Sequence, residues 1–123
     1  MREILFRGKT VCDGDWIYGG ITWNPSKKKV FIHTEWDEGE VIPETVGQYT
    51  GLQDKNGTKI FEGDIVHWKK VPYFVRWDSK KAEFVFANDM EADYFVVGFN
   101  EHTTMKFCKV VGNIHDNPEL LNK

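Results

Sequence analysis

Apolar and polar residues alternate with a period of two along much of the chain, the pattern of strands that bury one face. Residues 2–7 set charged positions against Ile4 and Phe6, which predicts a short first strand. Asp13-Gly14-Asp15 turns the chain into Trp16-Ile17-Tyr18, and Gly19-Gly20 interrupts before Ile21-Thr22-Trp23, so two strand pieces with a bend at the glycines are expected. Asn24-Pro25-Ser26 reads as a turn, Lys27-Lys28-Lys29 as a solvated loop, and Val30-Phe31-Ile32 as a third strand. The next stretch places Glu35, Asp37, Glu38, Glu40 and Glu44 around Trp36 and Pro43. It reads as a mobile acidic connection, because it offers little apolar surface to pack.

The stretch 46–68 organises the rest of the chain. Asn56-Gly57 lies between apolar runs, and both residues tolerate positive φ, so a hairpin with these two at its tip is predicted. Glu62-Gly63-Asp64 turns the chain again and launches Ile65-Val66-His67-Trp68, a β-branched and aromatic run suited to a pleated strand. Pro72 cannot donate to a ladder, which predicts an exposed loop ahead of Tyr73-Phe74-Val75-Arg76-Trp77. A turn at residues 78–81 leads to Glu83-Phe84-Val85-Phe86, residues 88–93 read as an acidic loop or one helical turn, and residues 94–99 and 107–114 supply the last strands. Asn117 before Pro118 has the form of a helix start, with Leu120 and Leu121 covering an open end of the fold. The expected fold is mainly β, built of bent antiparallel sheets. An N-terminal meander occupies about 1–47, an SH3-like barrel by analogy about 48–115, and a helical turn 117–122, all in one domain of 123 residues.

Composition supports this without adding chemistry. Five Trp, four Tyr and nine Phe favour strands and furnish an aromatic core with no need of metal or cross-links. The formal net charge is −3 and neither half is a basic arm, which argues against strong non-specific nucleic-acid binding. Cys12 and Cys108 stand at opposite ends of the chain, with no apolar signal segment and no membrane-length run. Free thiols in a cytoplasmic protein, with no membrane attachment, are expected.

Candidate chemistry is sparse. Asp54, Asn56, Gly57 and Glu62 resemble a calcium loop by letters, yet with Gly57 at the sixth position the first falls on Leu52 and the twelfth on Gly63, so two oxygen ligands are missing. Glu62 and Asp64 flank one glycine and read as turn caps facing water rather than as an acid–base pair. His33, His67, His102 and His115 show no ligand spacing, and neither cysteine is near a histidine. No metal, cofactor or catalytic group is predicted. The aromatics suggest one binding surface: Trp68, Lys69, Lys70, Tyr73 and Arg76 would form a stacking face with a basic edge for single-stranded nucleic acid. Unpaired strand edges at residues 2–7 and 94–99, carrying Ile4, Phe6, Phe95 and Phe99, predict self-association.

One further pattern cuts across these readings. Gln48-Tyr49-Thr50-Gly51-Leu52, Asp54-Lys55-Asn56-Gly57 and Ile60-Phe61-Glu62-Gly63-Asp64-Ile65-Val66 resemble the signature of the YopX family of phage and prophage proteins. Residues 1–9, Asp13-Gly14-Asp15-Trp16-Ile17-Tyr18-Gly19 and the closing stretch 111–121 resemble that family in the same order, whereas 27–40 and 72–104 carry little of the pattern. The resemblance implies a mainly β fold, expression from a phage genome inside a bacterial host, and a biochemical activity that the family does not settle. The expected role is a non-enzymatic accessory or protein-interaction module that self-associates and meets a phage or host protein. The alternative is a weak single-stranded nucleic-acid binder.

Overall fold

The computed structural model describes residues 3–68, 70–80, 82–87, 107–121 and, as backbone alone, 95–98. Its strands are β1 (Phe6–Lys9), β2 (Trp16–Asn24), β3 (Lys29–His33), β4 (Glu38–Val41), β5 (Gly47–Gln53), β6 (Lys59–Phe61), β7 (Asp64–Trp68), β8 (Val71–Asp78), β9 (Glu83–Ala87), β10 (Phe95–Gly98) and β11 (Lys109–Asn113). Short 3-10 turns occupy Pro43–Thr45 and Pro118–Leu121. The chain divides into two compact units, Met1–Tyr49 and Thr50–Lys123.

In the first unit the antiparallel order is β4-β3-β2-β1-β5. β2 is one continuous strand that changes partner at its glycines: residues up to Gly19 pair with β1, and residues from Gly20 onward pair with β3. A Cβ on Gly19 would lie 1.8 Å from the His33 carbonyl oxygen, so only glycine fits where the two ladders meet. The sheet then curls until its β4 margin meets the end of β1. The Val11 amide donates to the Glu40 carbonyl (3.0 Å), the Ile42 amide donates to the Lys9 carbonyl (2.8 Å), and Thr10 bridges Val41. Val30, Ile32 and Val41 are buried inside the curl with Phe6, Ile17 and Val46 against them. Two glycines admit the close crossing, since a Cβ on Gly8 or Gly39 would come within 2.9 Å of Val41 or Ile17.

Two expectations are corrected here. The acidic stretch 35–44 is not a mobile connection. It holds a braced turn, strand β4 and a 3-10 turn, because Val41 supplies the apolar anchor and β3 the ladder. The first strand begins at Phe6 rather than residue 2, and it runs between β2 and β5. It is therefore not a sheet edge, and Phe6 packs against the core.

In the second unit β6 lies beside β5, and a separate antiparallel sheet has the order β10-β9-β8-β7-β11. This sheet is covered on both faces, which explains why its strands read as unbroken apolar runs. Ile60, Val66, Tyr73, Val75, Phe84, Phe86 and Cys108 are buried in one cluster, with Trp68 and Val110 against it. On the opposite face Ile65, Phe74 and Ala87 are covered by Val111, Ile114, Leu120 and Leu121. The leucines of the final 3-10 turn thus close a sheet face rather than a barrel end. Barrel closure is not found among the described residues: β10 and β11 sit at opposite margins, with β9, β8 and β7 between them. Phe99, placed on the same suspected edge as β10, lies outside the described residues. Pro72, expected in a loop, belongs to β8 opposite His67. Pairing of β8 with β9 starts only at Phe74, so a residue lacking an N–H is tolerated there.

Candidate functional site

The central motif assembles through backbone bonding, and its Thr50, Asp54 and Asp64 side chains have structural tasks. The Thr50 hydroxyl donates to the Ile60 carbonyl (2.8 Å) and accepts from the Leu52 amide (3.2 Å). The Tyr49 amide donates to the Leu5 carbonyl (2.8 Å), and Gln48 stands opposite Phe6 in the ladder. Gly51, Gly57 and Gly63 have φ of 90°, 83° and 92°, the left-handed region that disfavours any Cβ. Asn56 and Gly57 occupy the exposed turn between β5 and β6.

Asp54 is the hub. Its side chain is buried, 3% exposed. One carboxylate oxygen accepts from the amides of Asn56 and Thr58 (2.9 Å each), and the other accepts from the Val110 amide in β11 (2.9 Å). Alongside, the Lys55 amide donates to the Cys108 carbonyl (3.0 Å). Burial, then the nearby Asp54 charge, push the Cys108 thiol up from 9.0 to about 11. Asp64 repeats the device: buried rather than facing water, it accepts from the Phe61 amide (2.7 Å). Glu62 is half-buried. The Gly63 amide donates to the Val75 carbonyl (2.8 Å), and its carbonyl accepts from the Ile114 amide (2.9 Å).

The closing stretch follows the same logic. Asn113 Oδ1 accepts from the His115 and Asp116 amides (3.0 and 2.9 Å), while Asn117 Oδ1 accepts from the Asn113 amide (3.3 Å). A Cβ on Gly112 would lie 2.6 Å from that Asn117 oxygen.

The aromatic and basic residues expected to form a stacking face are dispersed. Tyr73 is 6% exposed and stacks on Phe86 at 6.0 Å, with Trp68 half-buried 6.1 Å away. Alternation along β8 puts Arg76 on the opposite side of the sheet from Tyr73. Lys70 is exposed in the tight β7–β8 turn with φ of 66°, and Lys69 lies outside the described residues. His102 and the acidic loop 88–93 also lie outside them.

The first unit carries one arrangement that sequence spacing does not suggest. On the solvent side of β2, β3 and β4, Thr22 Oγ1 bonds His33 Nε2, and His33 Nδ1 lies 3.1 Å from Glu38. A hydroxyl, an imidazole and a carboxylate in line are the parts of a nucleophile and its base. Here His33 stands directly opposite Glu38 and diagonal to Thr22 on an open ladder, with His33 and Glu38 exposed, so they serve as a cross-strand clasp. The signal that would have found them is cross-strand register, which no chain spacing encodes. Beyond the clasp, the β3–β4 turn lifts Trp36 to 88% exposure. Among the described residues no cluster of His, Cys, Asp or Glu could hold a metal, and no helix is long and apolar enough to cross a membrane.

The two units thus define a mainly β protein whose one extended motif is spent on turns and strand anchoring. The YopX family, described as YopX protein, matches residues 7–122, and the chain belongs to that family. No curated protein matches it. Among solved structures, the crystal structure of protein EF1440 from Enterococcus faecalis is similar over 99% of this chain and 100% of that one, with 20% identity and a TM-score of 0.69. That likeness is one of fold.

Proposed function

We propose that the protein is a phage or prophage accessory factor that works in the cytoplasm of its bacterial host as a non-enzymatic protein-interaction module. The observation that carries this reading is the destination of the motif's polar groups. Thr50, Asp54 and Asp64 bond backbone atoms inside the second unit, which leaves the motif to specify a scaffold rather than a reaction. Nucleic-acid binding is the weaker reading, because the Tyr73 ring that would stack on a base is in the core.

The test is reconstitution. The tagged chain is recovered from host cells, and any co-purifying protein is then purified and recombined with it. A binary complex of fixed stoichiometry is expected. Turnover of ester or phosphoester reporters by the purified chain, abolished by His33→Ala, would overturn the reading.

A further inference from the structure

The two hairpin ends of the first unit carry opposite charge, and each presents an aromatic ring. Both ends belong to β3, which spans roughly 17 Å at about 3.3 Å per residue. At its start lies the β2–β3 turn. Trp23 is 53% exposed, Ile21 shares its face of β2, and Lys27 and Lys28 are exposed beyond it. Asn24 Oδ1 holds this turn by accepting from the Lys27 amide (3.2 Å) and the Ser26 hydroxyl (3.0 Å). At the other end lies the Thr34–Asp37 turn, where Trp36 projects between exposed Glu35, Asp37 and Glu38. Thr34 fixes that turn from several directions. Its amide and hydroxyl donate to the Asp37 carbonyl (2.7 and 3.0 Å), and its hydroxyl oxygen accepts from the Asp37 and Trp36 amides (3.0 and 3.3 Å).

Such a turn fixes the backbone that carries the indole before any partner arrives, so no loop-ordering entropy remains to be lost on docking. Tryptophan is also the side chain most enriched among residues that dominate binding. The flanking carboxylates select a basic-rimmed apolar surface and reject an acidic one. The lysine end of the same unit is such a surface: Trp23 and Ile21 supply the apolar floor, and Lys27 and Lys28 the rim.

We propose that the first unit docks head to tail onto a second copy of the chain, the Trp36 turn of one copy seated against the Trp23, Lys27 and Lys28 end of the next. This deepens the interaction-module reading by naming a partner, and it places that contact on the hairpin ends rather than on sheet margins. The contact is heterologous, so it builds a ring where the rotation closes and a filament where it does not.

Sedimentation velocity over a concentration series tests it on the full chain. The wild type is expected to associate at low salt and to dissociate at about 1 M salt, where the screening length is roughly 3 Å. Trp36→Ala should weaken association by roughly thirtyfold, the scale of a binding hot spot. Lys27→Glu/Lys28→Glu makes both ends acidic, and Glu35→Lys/Asp37→Lys makes both ends basic. Each variant alone should be monomeric, and an equimolar mixture should associate again. Unchanged melting curves verify that the variants fold, and Lys27→Glu/Lys28→Glu leaves the Thr34 turn untouched. A monomeric wild type at low salt, or association indifferent to Trp36→Ala and to both charge changes, overturns the proposal. Either result leaves the interaction-module reading to be decided by reconstitution with another protein.

Discussion

Cys108 shows how one side chain records its surroundings. It is fully buried, beside the carboxylate of Asp54, and both conditions disfavour a thiolate. Its folded pKa of about 11 lies above the ordinary 9.0, so between those values the unfolded chain has lost the proton that the folded chain keeps. The stability linked to this group is complete below pH 9 and is lost as pH rises toward 11. Cys12 is exposed. A chromogenic disulfide reagent at neutral pH should therefore titrate Cys12 at once and Cys108 only on unfolding. Two fast thiols in the native protein would contradict the burial of Cys108. Sequence reading leaves both cysteines equivalent, because nothing local to either residue encodes its depth.

The largest gap between sequence and structure lies at the level of elements. The turn from Asp54 to Thr58 is legible because Asn and Gly tolerate positive φ whatever the rest of the chain does, and Gly63 announces its turn in the same way. What local chemistry could not disclose is that the Asp54 carboxylate also accepts from Val110, 56 residues onward. Asp54→Ala should cost about 3 kcal/mol, since three backbone amides in part-buried bonds lose a charged acceptor at once. Urea unfolding measures this, and a loss below about 1 kcal/mol would show that water replaces the carboxylate at little cost. The same blindness to distance accounts for β4. Glu38, Gly39 and Glu40 lack the apolar content of a strand, and they form one because β3 offers a ladder and Val41 reaches the core. Pro72 escapes a local reading for a related reason, as a missing N–H matters only where a neighbouring strand would use it.

For the whole molecule, the near-balanced charge and the interior placement of Tyr73 bear on the same question. A face for single strands needs exposed rings beside lysines, whereas here Trp68 and Tyr73 pack with Phe86 in a core cluster. Fluorescence anisotropy with labelled single-stranded oligonucleotides at low salt should show no micromolar binding. Binding that falls steeply with salt and disappears on Lys69→Glu/Lys70→Glu would restore that role. The position of β11 has another consequence, one that concerns the order in which the protein is made. β7 is complete at residue 68, but its neighbour on one side is β11, at residues 109–113. During synthesis at about 5–20 residues per second, β7 therefore waits several seconds with one margin bare. Residues 1–49 need no later segment for their own ladders, so the ribosome releases a finished first unit ahead of a second whose edge is still open to mispairing.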